Sequence, residues 1–417
     1  MMDTKRLGRL SPKPAGIFYR KRKSMITVRQ DFPFQGVYLD TAATAQKPKA
    51  MLEALYKAYT HDYGNVHRSA GAGSTSRYEK ARKTVESFLG PSNDYALVWV
   101  ANATMGMNIL AQQWHRHLRP GDEVLSLIWD HHSTLLPWQQ ACQATGARMV
   151  IPPWEQFQEA GYNFLPFITD RTRVAVFSPI SNVTGQKVHD LSGHLRTLRQ
   201  QGIITILDGC QWVPHDNHDV KDYPYDFCLF SGHKLYGPTG IGGIYGRKSL
   251  WEHYVQPWHY GGGMVQSVEN NGQNFQIMDI PWRFESGTPA FVQVEGLAAS
   301  IEYLLSLPLQ DLRTDQSDRL QKFARCIQKH EGHVWETHST SSLLSFSMPD
   351  VHAYDLGMVL AQKGVRLRTG HHCAQPFCQA LGAKQGTLRI SLGIYNTDQD
   401  VEDFESALAE SLKFLCP

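Results

Sequence analysis

Two histidines and two cysteines crowd the stretch RTGHHCAQPFC, residues 368–378. Read alone it supports four chemistries: a metal site, a Cys373–Cys378 disulfide, a buried packing thiol, or a nucleophile at Cys373. A second constellation is IITILDGCQWVPH followed by DFCLFSGHKLYGPTGIGG. Asp208 closes one apolar run. Lys234 follows the next, flanked by Ser231, His233 and a glycine-rich turn. In open α/β sheets, ligands bind beyond the carboxyl ends of the strands. A carboxylate there is costly without a cationic partner, and a lysine entering such a crevice is desolvated into a usable amine. An acid and a lysine at adjacent strand ends match the needs of pyridoxal phosphate. The lysine condenses with the aldehyde, and the acid keeps the pyridine nitrogen protonated so that the ring can accept electrons. The competing reading is a buried structural Asp208–Lys234 ion pair. It weighs evenly on DGCQ alone and loses ground once SGHK and its glycines are added.

The elements that must position these groups follow from hydrophobic patterning. ALVWV (96–100), EVLSLIW (123–129), VAVFS (174–178), IITIL (203–207) and FCLFS (227–231) are short continuous apolar runs separated by helix-like stretches such as MGMNILAQQW and DHHSTLLPWQQA. Strands buried on both faces read this way, and helical crossovers imply a mainly parallel sheet in an α/β fold. The character changes near residue 305. SLLSFSM (342–348) reads as a strand, HAYDLGMVLAQKG as a helix stopped at Gly364, and VRLR (365–368) as one alternating strand. In TDQDVEDFESALAESLKFL the apolar positions 401, 404, 408, 412 and 415 form a helical face started by Thr397 or Asp398. This predicts a smaller C-terminal α+β domain.

At this level the chain resembles the group II cysteine desulfurases (SufS/CsdA type) of the class V aminotransferase family. SGHKLYGPTGIG carries the likeness at the lysine. YLDTAATAQKP (38–48), GNVHRSA (64–70), DHHSTLLPWQ (130–139), SNVTG (181–185), FESGTP (284–289) and RTGHHCAQP (368–376) carry it elsewhere, in the family's order. The resemblance implies a fold type I pyridoxal-phosphate enzyme: a large domain with a mainly parallel seven-stranded sheet flanked by helices, plus the smaller domain. The implied division is 40–300 for the large cofactor-binding domain and 25–39 with 305–417 for the small one.

The resemblance also implies roles. Lys234 is the Schiff-base lysine and Asp208 the partner of the pyridine nitrogen. Gln211 bonds the phenolic oxygen and His131 stacks on the ring. Thr104, Ser231 and His233 hold the phosphate, with Thr288 donated by the second subunit of a homodimer. Arg389 pairs with the substrate carboxylate, a bidentate match for guanidinium. Asn182 contacts cofactor or substrate, and Arg368 and His67 line the pocket. Cys373 attacks the sulfur of L-cysteine, with His131 as proton shuttle, giving L-alanine and a persulfide on Cys373. The nucleophile has to be a thiolate, for which His371, His372 and Arg368 are the candidate helpers. L-Selenocysteine or cysteine sulfinate could replace L-cysteine. A reductant, or an acceptor protein of SufE/CsdE or scaffold type, takes the sulfur onward, as in Fe–S cluster assembly. One departure stands out: where the family has Gly-Thr-Thr-Glu, this chain has Asn102-Ala103-Thr104-Met105. Thr104 still offers a hydroxyl at a helix start, a natural phosphate site.

Two other functions compete. One is a class V aminotransferase, epimerase or lyase whose chemistry ignores Cys373. The other is a non-catalytic sulfur carrier or scaffold, with Ala103 and Met105 as its support.

Bulk properties bound the remainder. The chain has 417 residues and a net charge of +2. Residues 1–24 alone carry +7, so the rest carries −5 and has no bulk attraction for nucleic acid. That basic N-terminus lacks the apolar core of a secretory signal and is expected to be a disordered tail, with Met25 a candidate true start. No apolar run approaches the roughly 18–20 residues that span a bilayer. Seven unpaired-looking cysteines and no export signal predict reduced thiols and a cytoplasmic protein. HDNHD (215–219) and HHS (131–133) lack the partners of a metal site, and none is expected. GGG (261–263) and GPTGIGG (237–243) are read as tight turns. Cys210 and Cys228 are read as small buried hydrophobes.

Overall fold

Continuous apolar runs can be satisfied only where both faces are covered, and the central sheet provides that. The computed structural model describes residues 25–61, 63–66 and 73–416; His67 and the basic tail lie outside the described residues. Seven strands form the sheet: β1 Tyr95–Val100, β2 Glu123–Leu125, β3 Arg148–Val150, β4 Thr172–Phe177, β5 Ile204–Asp208, β6 Phe227–Ser231 and β7 Gly242–Arg247. Their spatial order is β1-β7-β6-β5-β4-β2-β3. Neighbours from β6 to β3 run parallel, while β7 is antiparallel to both β1 and β6. Every residue of β1, β5 and β6 is buried.

Two expectations shift in detail. EVLSLIW does not continue as a strand beyond Leu125. The Asp130 carboxylate accepts from Ser126 Oγ at 2.7 Å, Leu127 N at 2.7 Å and Ser178 N at 2.7 Å, which folds the run into a turn. In GPTGIGG only the first half is a turn; Gly242 and Gly243 lie inside β7. A Cβ at Gly243 would come within 2.7 Å of the Phe230 ring, so the glycine makes room for β6's aromatic.

The second layer is a four-stranded antiparallel sheet: β8 His333–Val334, β9 Leu343–Ser347, β10 Arg368–Gly370 and β11 Thr387–Ser391, in the order β8-β9-β11-β10. Helices Leu309–Lys329, Ala353–Gln362 and Asp398–Leu415 belong to this half. The last starts with a reciprocal Thr397/Asp400 capping box. Such a cap contributes about 1 kcal/mol. VRLR is not one strand. Val365–Arg366 pairs in parallel with Val37–Tyr38, whereas Arg368 opens β10, so the chain changes sheets at Leu367. The reason is that two partners compete for four residues.

Two hydrophobic clusters cover the faces of the large sheet, and a third fills the small half. Val28 and Phe32 pack into the large core, while Val37 and Leu39 join the small one. We propose the division 40–300 against 25–39 with 305–417; the cores support it at Val37 and Leu39, whereas Val28 and Phe32 side with the large domain. A strap between them positions the site. Asp40 bridges to Ser391, Ala42 N donates to Ser391 Oγ at 2.9 Å, and both Ala45 N (3.0 Å) and Lys47 Nζ (2.9 Å) donate to the carbonyl of His233.

Candidate active site

Strand ends of the large sheet and β10–β11 of the small one enclose a cavity of about 300 Å³. Asp208 and Lys234 both line it, from the ends of β5 and the turn after β6. Asp208 is 5% exposed and has two internal partners. Its Oδ2 accepts from Thr134 Oγ1 at 3.1 Å and its Oδ1 from Cys210 N at 3.0 Å. The main chain entering Lys234 is fixed by the donors to His233 O and by Gly237 N to Gly232 O at 3.0 Å.

The groups named for the phosphate end, Thr104, Ser231 and His233, line the same cavity. Helix Ala103–Trp114 points its first turn at the cavity, and Thr104 sits there with an exposed side chain. Asn102 Oδ1 caps Met105 N at 2.8 Å, and Ser231 Oγ accepts from Ala103 N at 3.0 Å. Thr104 lines the site at the positive end of the helix dipole, a position that suits an anion. Ala103 is buried against the helix start. Met105 lines a separate apolar cavity of about 230 Å³ with Trp99, Trp258 and Phe284. The apolar Met105 side chain suits these aromatic neighbours.

His131 lines the cavity at the start of helix His132–Thr145. Its Nδ1 accepts from Ser133 N at 3.0 Å, which leaves the ring proton on Nε2. Burial pushes its pKa down to about 4 against the pull of Asp208, so the ring is neutral at pH 7. Burial likewise lowers His233 to about 4, helped by Lys234 and Lys47.

On the small-domain wall, Arg389 is fully enclosed. Its Nη1 donates to Asn182 O at 2.8 Å and its Nη2 to Asp40 Oδ1 at 3.1 Å, while Nε has no partner. Arg368 lies directly across the strand pair from Arg389 and lines the same cavity. Asn182 also donates through Nδ2 to His372 O at 2.7 Å. Gln211 donates Nε2 to Ala42 O at 2.9 Å, and its buried Oε1 has no partner.

Three named residues are not brought to this wall. His67 is outside the described residues. Thr288 lines a second cavity of about 210 Å³ with Gly263 and Glu285. Cys373 is half-buried beside the cavity that His372 lines, and its carbonyl accepts from His132 N at 2.7 Å. Its loop is short and tied down rather than a free arm. His372 is no cationic helper: burial, with Arg389 and Arg368 nearby, drives its pKa well down, and Nε2 is engaged with Thr387 Oγ1 at 2.7 Å. His371 turns away to Lys384 O at 3.1 Å. No disulfide links Cys373 to Cys378; all seven cysteines are free. No cluster of metal-type ligands occurs among the described residues.

Sequence reasoning missed Asp40, Thr134 and Glu285. Glu285 pairs bidentately with buried Arg82 (2.7 Å on each oxygen) and accepts from Trp99 N at 2.9 Å. Its position inside FESGTP was the available signal.

The residues present fit pyridoxal phosphate. An anion site at a helix start, a buried carboxylate, a lysine and a glutamine with an unused acceptor share one cavity. Comparisons with known proteins agree. Residues 37–404 match the Aminotransferase class-V family. The chain is 39% identical to cysteine desulfurase CsdA of Escherichia coli over 91% of this chain and 95% of that protein. It is 37% identical to a probable cysteine desulfurase of Vibrio cholerae over 91% and 94%. The crystal structure of E. coli CsdA in its S-sulfonic acid form superimposes with a TM-score of 0.84 at 36% identity, covering 94% of this chain and 99% of that one. The apo cysteine desulfurase of Thermococcus onnurineus also gives 0.84, at 28% identity, covering 93% and 98%.

Proposed function

The chain belongs to the class-V aminotransferase family, and from that premise we propose that it is a pyridoxal-phosphate-dependent L-cysteine desulfurase. The observation that carries this reading is the meeting of Asp208, Lys234 and Arg389 in one cavity with the Cys373 loop fastened at its edge. Relatives named cysteine desulfurase over nearly the whole chain support it.

When bound, the cofactor supplies an electron sink for the pair released at the substrate Cα. Lys234 is the residue that would hold it covalently and, as a free amine, take the Cα proton. Asp208 would keep the pyridine nitrogen protonated, steadied by Thr134 and Cys210 N. Thr104, Ser231 and His233 would hold the phosphate, and Gln211 the phenolic oxygen. Arg389 would take the substrate carboxylate, its orientation set by Asp40 and Asn182. Arg368 adds positive charge across the strand, and His131 offers Nε2–H for proton traffic.

The thiolate of Cys373 attacks the substrate's sulfur, the new S–S bond forms and the Cβ–S bond breaks. The electron pair stays on carbon, which gains protons and leaves as L-alanine. Cys373 keeps the sulfur as a persulfide, and a thiol reductant or an acceptor protein removes it. Delivery to Fe–S cluster assembly, through an acceptor of SufE/CsdE or scaffold type, is the use we propose. A homodimer accounts for Thr288, which sits away from its own cavity and would complete the partner's. Seven free thiols support a cytoplasmic setting. No described helix is long and apolar enough to cross a membrane.

The test is purified holoenzyme with L-cysteine, with and without a thiol reductant, measuring sulfide and alanine together. Turnover of both in equal amounts supports the reading. Alanine made at the parent rate by Cys373→Ala would instead favour an aminotransferase- or lyase-type reaction that ignores Cys373.

A further inference from the structure

The Cys373 loop carries unusual backbone geometry. His372 and Cys373 both have left-handed φ, +52° and +56°. Successive non-glycine residues hold this conformation only where their surroundings over-determine it. The ties are on either side of Cys373. Asn182 Nδ2 donates to His372 O at 2.7 Å, and Ala374 N closes a turn onto His371 O at 2.8 Å. The remaining two ties come from one residue, His132. Its backbone N–H donates to Cys373 O at 2.7 Å, and its ring Nε2 accepts from Gln375 N at 3.3 Å.

His132 thus grips the chain at the nucleophile and two residues beyond it. It also follows directly on His131, whose ring lines the cavity. The loop's placement is therefore referred to the same helix start that places His131. The accepting role of Nε2 puts the neutral ring's proton on Nδ1. The ring is half-buried on the wall of an open groove shared with Gln375 and Pro376, outside the hydrophobic clusters, so exchanging it need not open the core.

The geometry points to His132 as a positioning residue that holds Cys373 in register for attack on the substrate sulfur, through Gln375 N rather than by touching the substrate. This rests on the desulfurase reading for its consequence, but the grip itself is measurable without turnover.

The test compares His132→Phe, which keeps a flat ring without an acceptor, with His132→Gln, whose amide oxygen can reach Gln375 N. Holoenzymes are checked for an unchanged visible cofactor band. Two quantities are then read: kcat and KM for L-cysteine, and the rate of Cys373 alkylation by iodoacetamide without substrate, by mass spectrometry. Loss of one hydrogen bond should lower kcat of His132→Phe about fivefold, leave KM within about twofold, and raise the alkylation rate at least about threefold as the loop loosens. His132→Gln should recover most of both. If His132→Phe loses the cofactor band, His132→Ala takes its place in the same assays. Parent-like kcat and alkylation in His132→Phe would overturn the proposal, as would His132→Gln being equally impaired. If no variant, parent included, makes sulfide while the alkylation contrast holds, the desulfurase reading fails and the grip stands.

Discussion

Asp40 and Arg389 meet at 3.1 Å in the cavity wall, a carboxylate from the N-terminal strap holding a guanidinium from β11. Arg389 is 2% exposed, and burial lowers its pKa while Asp40 opposes that fall. Asn182 O takes the other terminal nitrogen, so the group is aimed before any substrate arrives. Aiming of this kind lowers the cost of binding a carboxylate bidentately.

Asp40→Ala should therefore act on substrate binding. A hydrogen bond to a charged group contributes about 1.5–3 kcal/mol, so KM for L-cysteine should rise at least about tenfold. kcat should fall by no more than about threefold, and the visible cofactor band should be unchanged. Steady-state kinetics decide; an unchanged KM would contradict the role given to Asp40.

His131 supplies the pH prediction. Its pKa is lowered to about 4, mainly by burial, so its ring gains a proton only as pH falls through that value. Between about pH 5 and 8 it has no charge change to report in the rate. The pH profile of His131→Gln should then run parallel to the parent's across this window, at lower height. The same shift bears on stability. Unfolded histidine takes up its proton near pH 6.5 and the folded ring does not, so this site favours unfolding increasingly as pH falls from about 6.5 towards 4. Denaturant midpoints of the parent should drop more steeply over that range than those of His131→Gln. A parent inflection near neutral pH that vanishes in the variant would refute the neutral ring.

How much of this could be read from the chain depends on distance along it. Strands β1, β4, β5 and β6 were legible because burial on both faces leaves unbroken apolar runs. Asp208 and Lys234 were legible because each ends such a run. The Asp40–Arg389 pair was not, since the partners lie at opposite ends of the sequence and Asp40 reads as one more turn residue. Thr134 looked like helix filling, yet its hydroxyl reaches Asp208. VRLR misled because alternation records which faces are buried, and two different sheets can bury successive pairs. His372 was read as a cation because sequence gives residue type, whereas burial sets charge.

Glu285 offers a stability prediction. It ties FESGTP to Arg82 and to Trp99 N, with Arg82 4% exposed and Glu285 8% exposed in their side chains. Glu285→Ala takes the bidentate partner from a buried guanidinium and leaves it only Glu79 at 3.0 Å, which should cost about 3 kcal/mol, the low end for breaking a buried pair. Glu285→Ala should lose stability on that scale in chemical denaturation, whereas Glu410→Ala, which breaks an exposed pair with Lys363, should lose far less. Equal effects from the two would mean the buried pair is not what anchors this segment.

The central claim is that sulfur leaves L-cysteine through Cys373. The most direct measurement is mass spectrometry of the holoenzyme after a short exposure to L-cysteine without reductant, with alanine quantified alongside. The account predicts one added sulfur on the peptide carrying Cys373, alanine in matching amount, and neither in Cys373→Ala. Alanine formed by Cys373→Ala at the parent's rate, or a parent peptide without added sulfur while alanine accumulates, would contradict it.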